Sequence, residues 1–169
     1  MNKNIIIYKE FLSNNLFDEI QTFAETTVKS PNPYLGRTNF CWPDEIRNQT
    51  TPVLIIDIDE NSPLHNKLKA EIDAKTGLNV KQLMLYIWTK LSYIPWHDDS
   101  HVESALTIYL NDYWDPDWGG YFMYKLNNEI SAIKPERNLG VIQTGGVPHS
   151  VSTVNLDATL RITLQSFFY

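Results

Sequence analysis

The chain has 169 residues, 43% hydrophobic and 20% charged, which supports one hydrophobic core and excludes a disordered chain. Its net charge of −6 leaves no basic footprint for nucleic acid, so no DNA or RNA partner is expected. A single cysteine, Cys41, excludes an internal disulfide and a cysteine-rich zinc site, and points to a reducing, cytoplasmic compartment.

The opening MNKNIIIYKEFLSNN carries only a short apolar run, which predicts neither a signal peptide nor a membrane span. Within it, NIIIYKEFL reads as a first strand. Ser13 then precedes, as an N-cap candidate, a helix in which Leu16, Phe17, Ile20, Phe23 and Ala24 recur at helical spacing. Residues 30–52 contain four prolines and no clean period, which predicts a long loop or hairpin. VLIIDID predicts a short strand, and SPLHNKLKAEIDAKTGL a second helix, with Pro63 inside its start and Gly77 past its end. After residue 80 the text changes to short β-branched and aromatic runs separated by turn residues, the pattern of an all-β sandwich or barrel. One domain over 1–169 is expected, with residues 1–79 as helical support and loop and 80–169 as the β core.

The segment WHDDSHVESALTIYLND sets the chemistry. Alternation along a strand places His97 and Asp99 on one face and Asp98 on the other. His101 shares the face in principle but would lie about 13 Å from His97 at ~3.3 Å per residue, too far to share an ion. His65 reads as a solvated helix position. The third candidate is His149, in GGVPHSVSTV, where glycines and a proline turn the chain into another strand. Two histidines and one carboxylate on one side of a metal leave three positions open, the arrangement of non-haem Fe(II) oxygenases. The competing reading is a chance HxD pair with a downstream histidine in core or loop. Arg161 bears on the choice, because LRITLQSFF places a guanidinium at an inward strand position. Such a group requires a carboxylate or phosphate, supplied either by a structural ion pair or by a bound dicarboxylate.

The order HxD, TIYLN, W…GG, H and RxT resembles the prolyl-hydroxylase-type branch of the Fe(II)/2-oxoglutarate-dependent dioxygenases, especially the hypoxia-sensing prolyl hydroxylases. The likeness covers roughly residues 80–169. It implies a double-stranded β-helix, or jelly roll, with iron ligands at His97, Asp99 and His149. It further implies a 2-oxoglutarate clamp at Arg161 assisted by Tyr109, with Tyr86 lining the cosubstrate pocket and Thr163 in the usual Ser/Thr place. Two spacings depart from the family pattern. The stretch from His149 to Arg161 is slightly long, implying a bulge in TVNLDAT, and one extra residue lies between Tyr86 and His97. Lys90 and Lys125 are alternative carboxylate partners.

The resemblance implies hydroxylation of an unactivated C–H, with Fe(II), 2-oxoglutarate and dioxygen required and ascorbate as reductant. A prolyl residue in a peptide or protein is the expected substrate, with a free amino acid or small metabolite as the alternative. From another class, a cupin-like jelly roll could hold metal without catalysis, and Arg161 discriminates the two. No membrane partner is expected. The 30–52 loop, with Tyr34, Arg37, Phe40 and Trp42, reads either as a substrate lid or as a wall packed on the β core. Trp88, Trp96 and Trp114 are candidates for lining a substrate groove. Gly119 and Gly120 read as a hairpin turn, with a close backbone approach as the alternative.

Overall fold

The computed structural model of the chain describes residues 4–29, 37–38, 42, 44–47, 49 and 53–169. Strand β1 (Ile5–Tyr8) leads into helix α1 (Asn14–Lys29), then β2 (Arg37–Thr38), the short helix α2 (Asp44–Arg47), β3 (Val53–Asp57) and helix α3 (Pro63–Thr76). From there the chain is built of strands: β4 (Gln82–Trp88), β5 (Ile94–His97), β6 (Ser104–Tyr109), β7 (Phe122–Leu126), β8 (Glu129–Ile133), β9 (Gly140–Thr144), β10 (His149–Val151) and β11 (Arg161–Phe168). They form a seven-stranded sheet, β1-β9-β6-β11-β4-β3-β2, and a four-stranded sheet, β5-β10-β7-β8. Between β4 and β11 the chain crosses repeatedly from one sheet to the other, which is the expected double-stranded β-helix. Among the described residues no helix is long and apolar enough to cross a membrane.

Strand alternation sorts the side chains of the larger sheet. Leu83, Leu85 and Ile87 of β4, Leu106 and Ile108 of β6, Ile142 of β9, and Leu164 and Phe168 of β11 join one core cluster. That cluster includes Leu16, Phe17, Ile20 and Ala24 of α1 and Leu68 and Ile72 of α3, so both helices cover the outer face of this sheet. The other parity faces the second sheet. Met84, Tyr86, Trp88, Ala105, Thr107, Gln143, Arg161, Gln165 and Phe167 all line the space between the sheets.

Helix α3 has the ends its sequence predicts. Ser62 accepts the His65 N–H at 3.1 Å, and Gly77 closes the helix at φ 71°. His65, however, is buried rather than solvated. It shares its stripe with Leu68 and Ile72, three and seven residues on, and turns inward with them. Ser13 forms no simple cap, because its hydroxyl donates to Glu71 of α3 at 2.8 Å and ties the two helices together.

Much of the 30–52 segment, including Tyr34 and Phe40 and the side chain of Arg37, lies outside the described residues. Its described parts include β2, which pairs antiparallel with β3, helix α2, and Trp42, which packs 6.0 Å from Tyr86 and 5.8 Å from Trp88 between ring centroids. Trp42 is thus part of the wall of the inter-sheet space.

Candidate active site

His97 closes β5 and His149 opens β10, and the two are register partners on adjacent strands. Their rings consequently sit side by side between the sheets, with centroids 4.1 Å apart. Asp99 lies just past the end of β5, in a turn closed by the Val102 N–H on the Asp99 carbonyl at 3.0 Å. Its carboxylate faces both rings, with Oδ1 at 3.8 Å from His97 Nε2 and Oδ2 at 3.5 Å from His149 Nε2. One ligand atom from each of the three side chains lies within 4.8 Å of the others.

The two imidazoles are oriented alike. His97 Nδ1 is 2.8 Å from the Pro95 carbonyl, and His149 Nδ1 is 2.8 Å from the Val147 carbonyl. A carbonyl accepts only, so each Nδ1 carries the proton and each Nε2 offers its lone pair inward. This is the backbone support that orients ligating histidines. Burial holds the His149 pKa down to about 4, with the neighbouring His97 acting in the same direction and Asp99 opposing both. Its ring is therefore neutral at pH 7, as a ligand must be. Two neutral nitrogens and one carboxylate oxygen suit a divalent first-row ion, iron included, at bonds of about 2.0–2.2 Å.

The site opens into a cavity of about 500 Å³ that also contains Arg161. Along the inner face of β11 the exposure rises from 1% at Arg161 and 0% at Thr163 through 8% at Gln165 to 65% at Tyr169 just past the strand. The arginine end is therefore closed, and the mouth lies toward Tyr169, His101 and Asp98. His101 lines that mouth but stands outside the three-residue cluster.

Arg161 has no acidic partner within ion-pair distance among the described residues, and its Nε and Nη1 are buried without a hydrogen bond. The structural ion pair considered from the sequence is thus absent among those residues. The guanidinium carbon lies 4.8 Å from the Trp88 ring and 5.1 Å from the Tyr109 ring, and the Tyr109 hydroxyl is likewise buried and unpartnered. Burial pushes the Arg161 pKa down and the Tyr109 pKa up, and the interaction of the two groups with each other opposes both shifts. The guanidinium and the hydroxyl thus face one another with no carboxylate among the described residues to receive them, an arrangement that costs free energy unless an anion arrives. The backbone on either side of Arg161 is pinned by Asn111, which donates to the Leu160 carbonyl and accepts from the Ile162 N–H, both at 2.8 Å.

Two contacts link the arginine and the metal cluster. A Cβ on Gly120 would lie 2.9 Å from Arg161 Cδ, while Phe122, two residues on, stacks on His149 at 5.5 Å. The same short stretch of chain thus touches the arginine stem at Gly120 and the His149 ring at Phe122, within one cavity.

The remaining expected positions divide. Tyr86 lines the cavity beside Trp88. Thr163 is fully buried and accepts from Trp88 Nε1 and Gln165 Nε2, each at 3.3 Å, so it braces the wall. Lys90 and Lys125 are both exposed, and Lys125 stacks over Trp96 at 4.3 Å. Trp96 is 40% exposed and Trp114 is buried with its Nε1 on the Gly119 carbonyl, so of the three tryptophans only Trp88 lines the cavity.

Of the two readings of the glycine pair the structure shows the close approach at Gly120, which stands at φ 66° and lets the chain pass against Arg161. Two contributors escaped the sequence reading. Gly145 runs beneath the Asp99 turn, where a Cβ would meet the Val102 carbonyl at 2.0 Å. Gln143 projects inward from β9 onto Asp99 and His149. A polar residue at inward parity in LGVIQT was the available signal, the same one that marked Arg161.

No family model matches the sequence, and no curated protein does. Solved structures do. The fold is similar to that of a prolyl-4-hydroxylase from Pseudomonas putida (TM-score 0.74, 18% identity, 99% of this chain and 92% of that one). It is similar to a prolyl hydroxylase from Trichoplax adhaerens in complex with a hypoxia inducible factor oxygen degradation domain peptide fragment (TM-score 0.75, 14% identity, 99% and 84%). A third likeness is the viral collagen prolyl hydroxylase of Paramecium bursaria Chlorella virus-1, in its 2OG complex (TM-score 0.64, 13% identity, 98% and 96%). At these identities, what the chains share is the fold.

Proposed function

We propose that the protein is an Fe(II)- and 2-oxoglutarate-dependent oxygenase that hydroxylates an unactivated C–H bond, with a prolyl residue of a peptide or protein as substrate. The observation that carries this reading is the unpaired Arg161 in the same cavity as His97, Asp99 and His149. A jelly roll that only stored metal would gain nothing from a buried guanidinium without an anion, whereas a dicarboxylate cosubstrate supplies that anion. The peptide-bound fold neighbour from Trichoplax adhaerens and the prolyl hydroxylases among the solved structures support the substrate class.

His97, Asp99 and His149 would hold the iron through Nε2, a carboxylate oxygen and Nε2. Bound together, Fe(II) and 2-oxoglutarate with dioxygen supply the oxidising power, yielding succinate, carbon dioxide and a hydroxylated substrate. The Arg161 guanidinium would receive the far carboxylate, with the Tyr109 hydroxyl beside it as a second donor. Asn111 keeps that clamp in register, and Gly120 leaves room for its stem. Met84, Tyr86, Trp88, Ile94 and Phe122 line the cavity and exclude water from the reacting centre. The substrate approaches from the Tyr169 end, because the arginine end is closed.

The test is succinate formation from 2-oxoglutarate with Fe(II), ascorbate and a library of proline-containing peptides, run beside free amino acids. Peptide-dependent succinate with a mass gain of one oxygen on proline is expected. Succinate stimulated only by free amino acids would move the substrate class, and none under any condition would return the chain to a metal-binding jelly roll.

A further inference from the structure

Gln143 is 5% exposed, points inward from β9, and makes two contacts with the proposed ligands. Its Nε2 lies 2.9 Å from Asp99 Oδ2 and 3.0 Å from His149 Nε2. The carboxylate only accepts. The His149 nitrogen also accepts, because the Nδ1 proton of that ring goes to the Val147 carbonyl at 2.8 Å. Both neighbours therefore call for the amide nitrogen, and its two protons are divided between them. The backbone beneath is held firmly. Gln143 pairs with Ala105 and Ile5, and two residues later Gly145 donates its N–H to the Glu103 carbonyl at 2.8 Å under the Asp99 turn.

We propose that Gln143 is a positioning residue for Asp99: it ties down Oδ2, so that the carboxylate presents Oδ1 alone to a cation. The inference rests on the metal-site reading above and adds a role for a residue outside the three ligands. A carboxylate with one oxygen engaged binds a metal through the other, whereas an untied one can chelate with both. Three protein ligands leave three open places on a six-coordinate ion, and a chelating 2-oxo acid with dioxygen needs all three. An Asp99 that took a fourth place would compete directly with the cosubstrate. The bond to Oδ2 is compatible with a bound cation. The bond to His149 Nε2 is not, so the second N–H holds that lone pair only until a cation claims it.

Co(II) is the probe, because its visible absorption reports coordination number without turnover. Wild type, Gln143→Leu, Gln143→Glu and Arg161→Ala are titrated first with Co(II), against a competing chelator, and then with 2-oxoglutarate. Gln143→Leu is expected to keep Co(II) affinity within about tenfold. Its Co(II) spectrum should differ from wild type before any cosubstrate is added, and its 2-oxoglutarate Kd should rise tenfold or more. Arg161→Ala should lose 2-oxoglutarate with an unaltered Co(II) spectrum, which separates clamp from positioning. Gln143→Glu keeps the shape but sets a carboxylate against Asp99, so its metal-free melting temperature should fall and its rise on adding Co(II) should exceed that of wild type. This second variant decides the matter if the leucine variant does not fold. Spectra and 2-oxoglutarate affinities within twofold of wild type in the Gln143 variants would overturn the proposal alone. A wild-type chain that binds no Co(II), or whose spectrum ignores 2-oxoglutarate, would overturn the metal-site reading and this inference with it.

Discussion

Replacing Arg161 by methionine separates the two explanations of a buried guanidinium, because they predict opposite signs for stability. Arg161 is 1% exposed, with Nε and Nη1 unpartnered. An unpaired buried charge costs several kcal/mol, and replacement by an apolar residue of similar volume is often neutral or stabilising by about 1–4 kcal/mol. The contacts with Trp88 at 4.8 Å and Tyr109 at 5.1 Å return on the order of 1–2 kcal/mol of cation–π attraction, which offsets part of that cost. The ligand-free Arg161→Met protein is therefore expected to melt at the wild-type temperature or above it. Cosubstrate binding moves the other way. Truncating one partner of a buried, hydrogen-bonded charge pair costs about 2–5 kcal/mol, so 2-oxoglutarate affinity should fall by roughly 30-fold or more. Differential scanning calorimetry of the metal-free protein supplies the first measurement. Anaerobic titration of the Fe(II) protein, following the charge-transfer absorbance of the chelate, supplies the second. A variant that melts well below wild type yet binds 2-oxoglutarate normally would refute the clamp and make Arg161 a structural residue.

Three further outcomes are expected. Tyr109→Phe removes a buried hydroxyl whose interaction is with Arg161 and which meets no acceptor, so stability should change by no more than about 1 kcal/mol while 2-oxoglutarate affinity in the same titration falls about tenfold, as for a lost hydrogen bond to a charged group. Gly120→Ala puts a Cβ 2.9 Å from Arg161 Cδ at a residue with φ 66°, so Co(II) affinity should be unchanged while 2-oxoglutarate binding weakens and the melting temperature falls, both readable in one thermal-shift series. His149 is held down to about 4 in the folded chain against 6.5 unfolded, so the unfolded state binds the extra proton between those values. The metal-free protein should lose up to about 3 kcal/mol of stability as pH falls from 6.5 toward 4, with no contribution from this group above 6.5, and His149→Gln should flatten that slope in urea melts.

The strand-and-helix layout was legible because burial on both faces of the larger sheet writes itself into local text. LMLYIW alternates Leu83, Leu85 and Ile87 toward the helices with Met84, Tyr86 and Trp88 toward the cavity, yet reads as one apolar run because neither face is wet. His65 was misjudged because polarity argued for solvent while its place on the Leu68–Ile72 stripe argued for burial, and in the structure the stripe prevailed. Parity singled out Asp99, although the structure puts it in the turn after β5 rather than in the strand. The turn keeps the carboxylate on the ring side because its backbone closes onto Val102 and rests on Gly145, neither of which a strand rule can see.

What local text could not reveal is which inward polar residues meet. Arg161, Gln143, Thr163 and Gln165 all break apolar alternation in the same way, and nothing adjacent in sequence distinguishes a clamp from a brace. The difference is made by residues distant in the chain and adjacent in the barrel. Thr163 finds Trp88 and Gln165, and Gln165 finds Thr107 at 2.9 Å, so these side chains are satisfied by the protein. Gln143 finds Asp99 and His149, so its bonds go to the groups proposed to hold metal. Arg161 and Tyr109 find only one another and no carboxylate among the described residues. Buried polar groups that the fold satisfies stabilise the barrel, whereas a charged group left open beside the cavity is available to a ligand. In this cavity Arg161 stands at the sealed end with Nε and Nη1 open, and the proposed function assigns that end to a carboxylate and the lone pairs of His97 and His149 to a metal, leaving the space toward Tyr169 for the substrate.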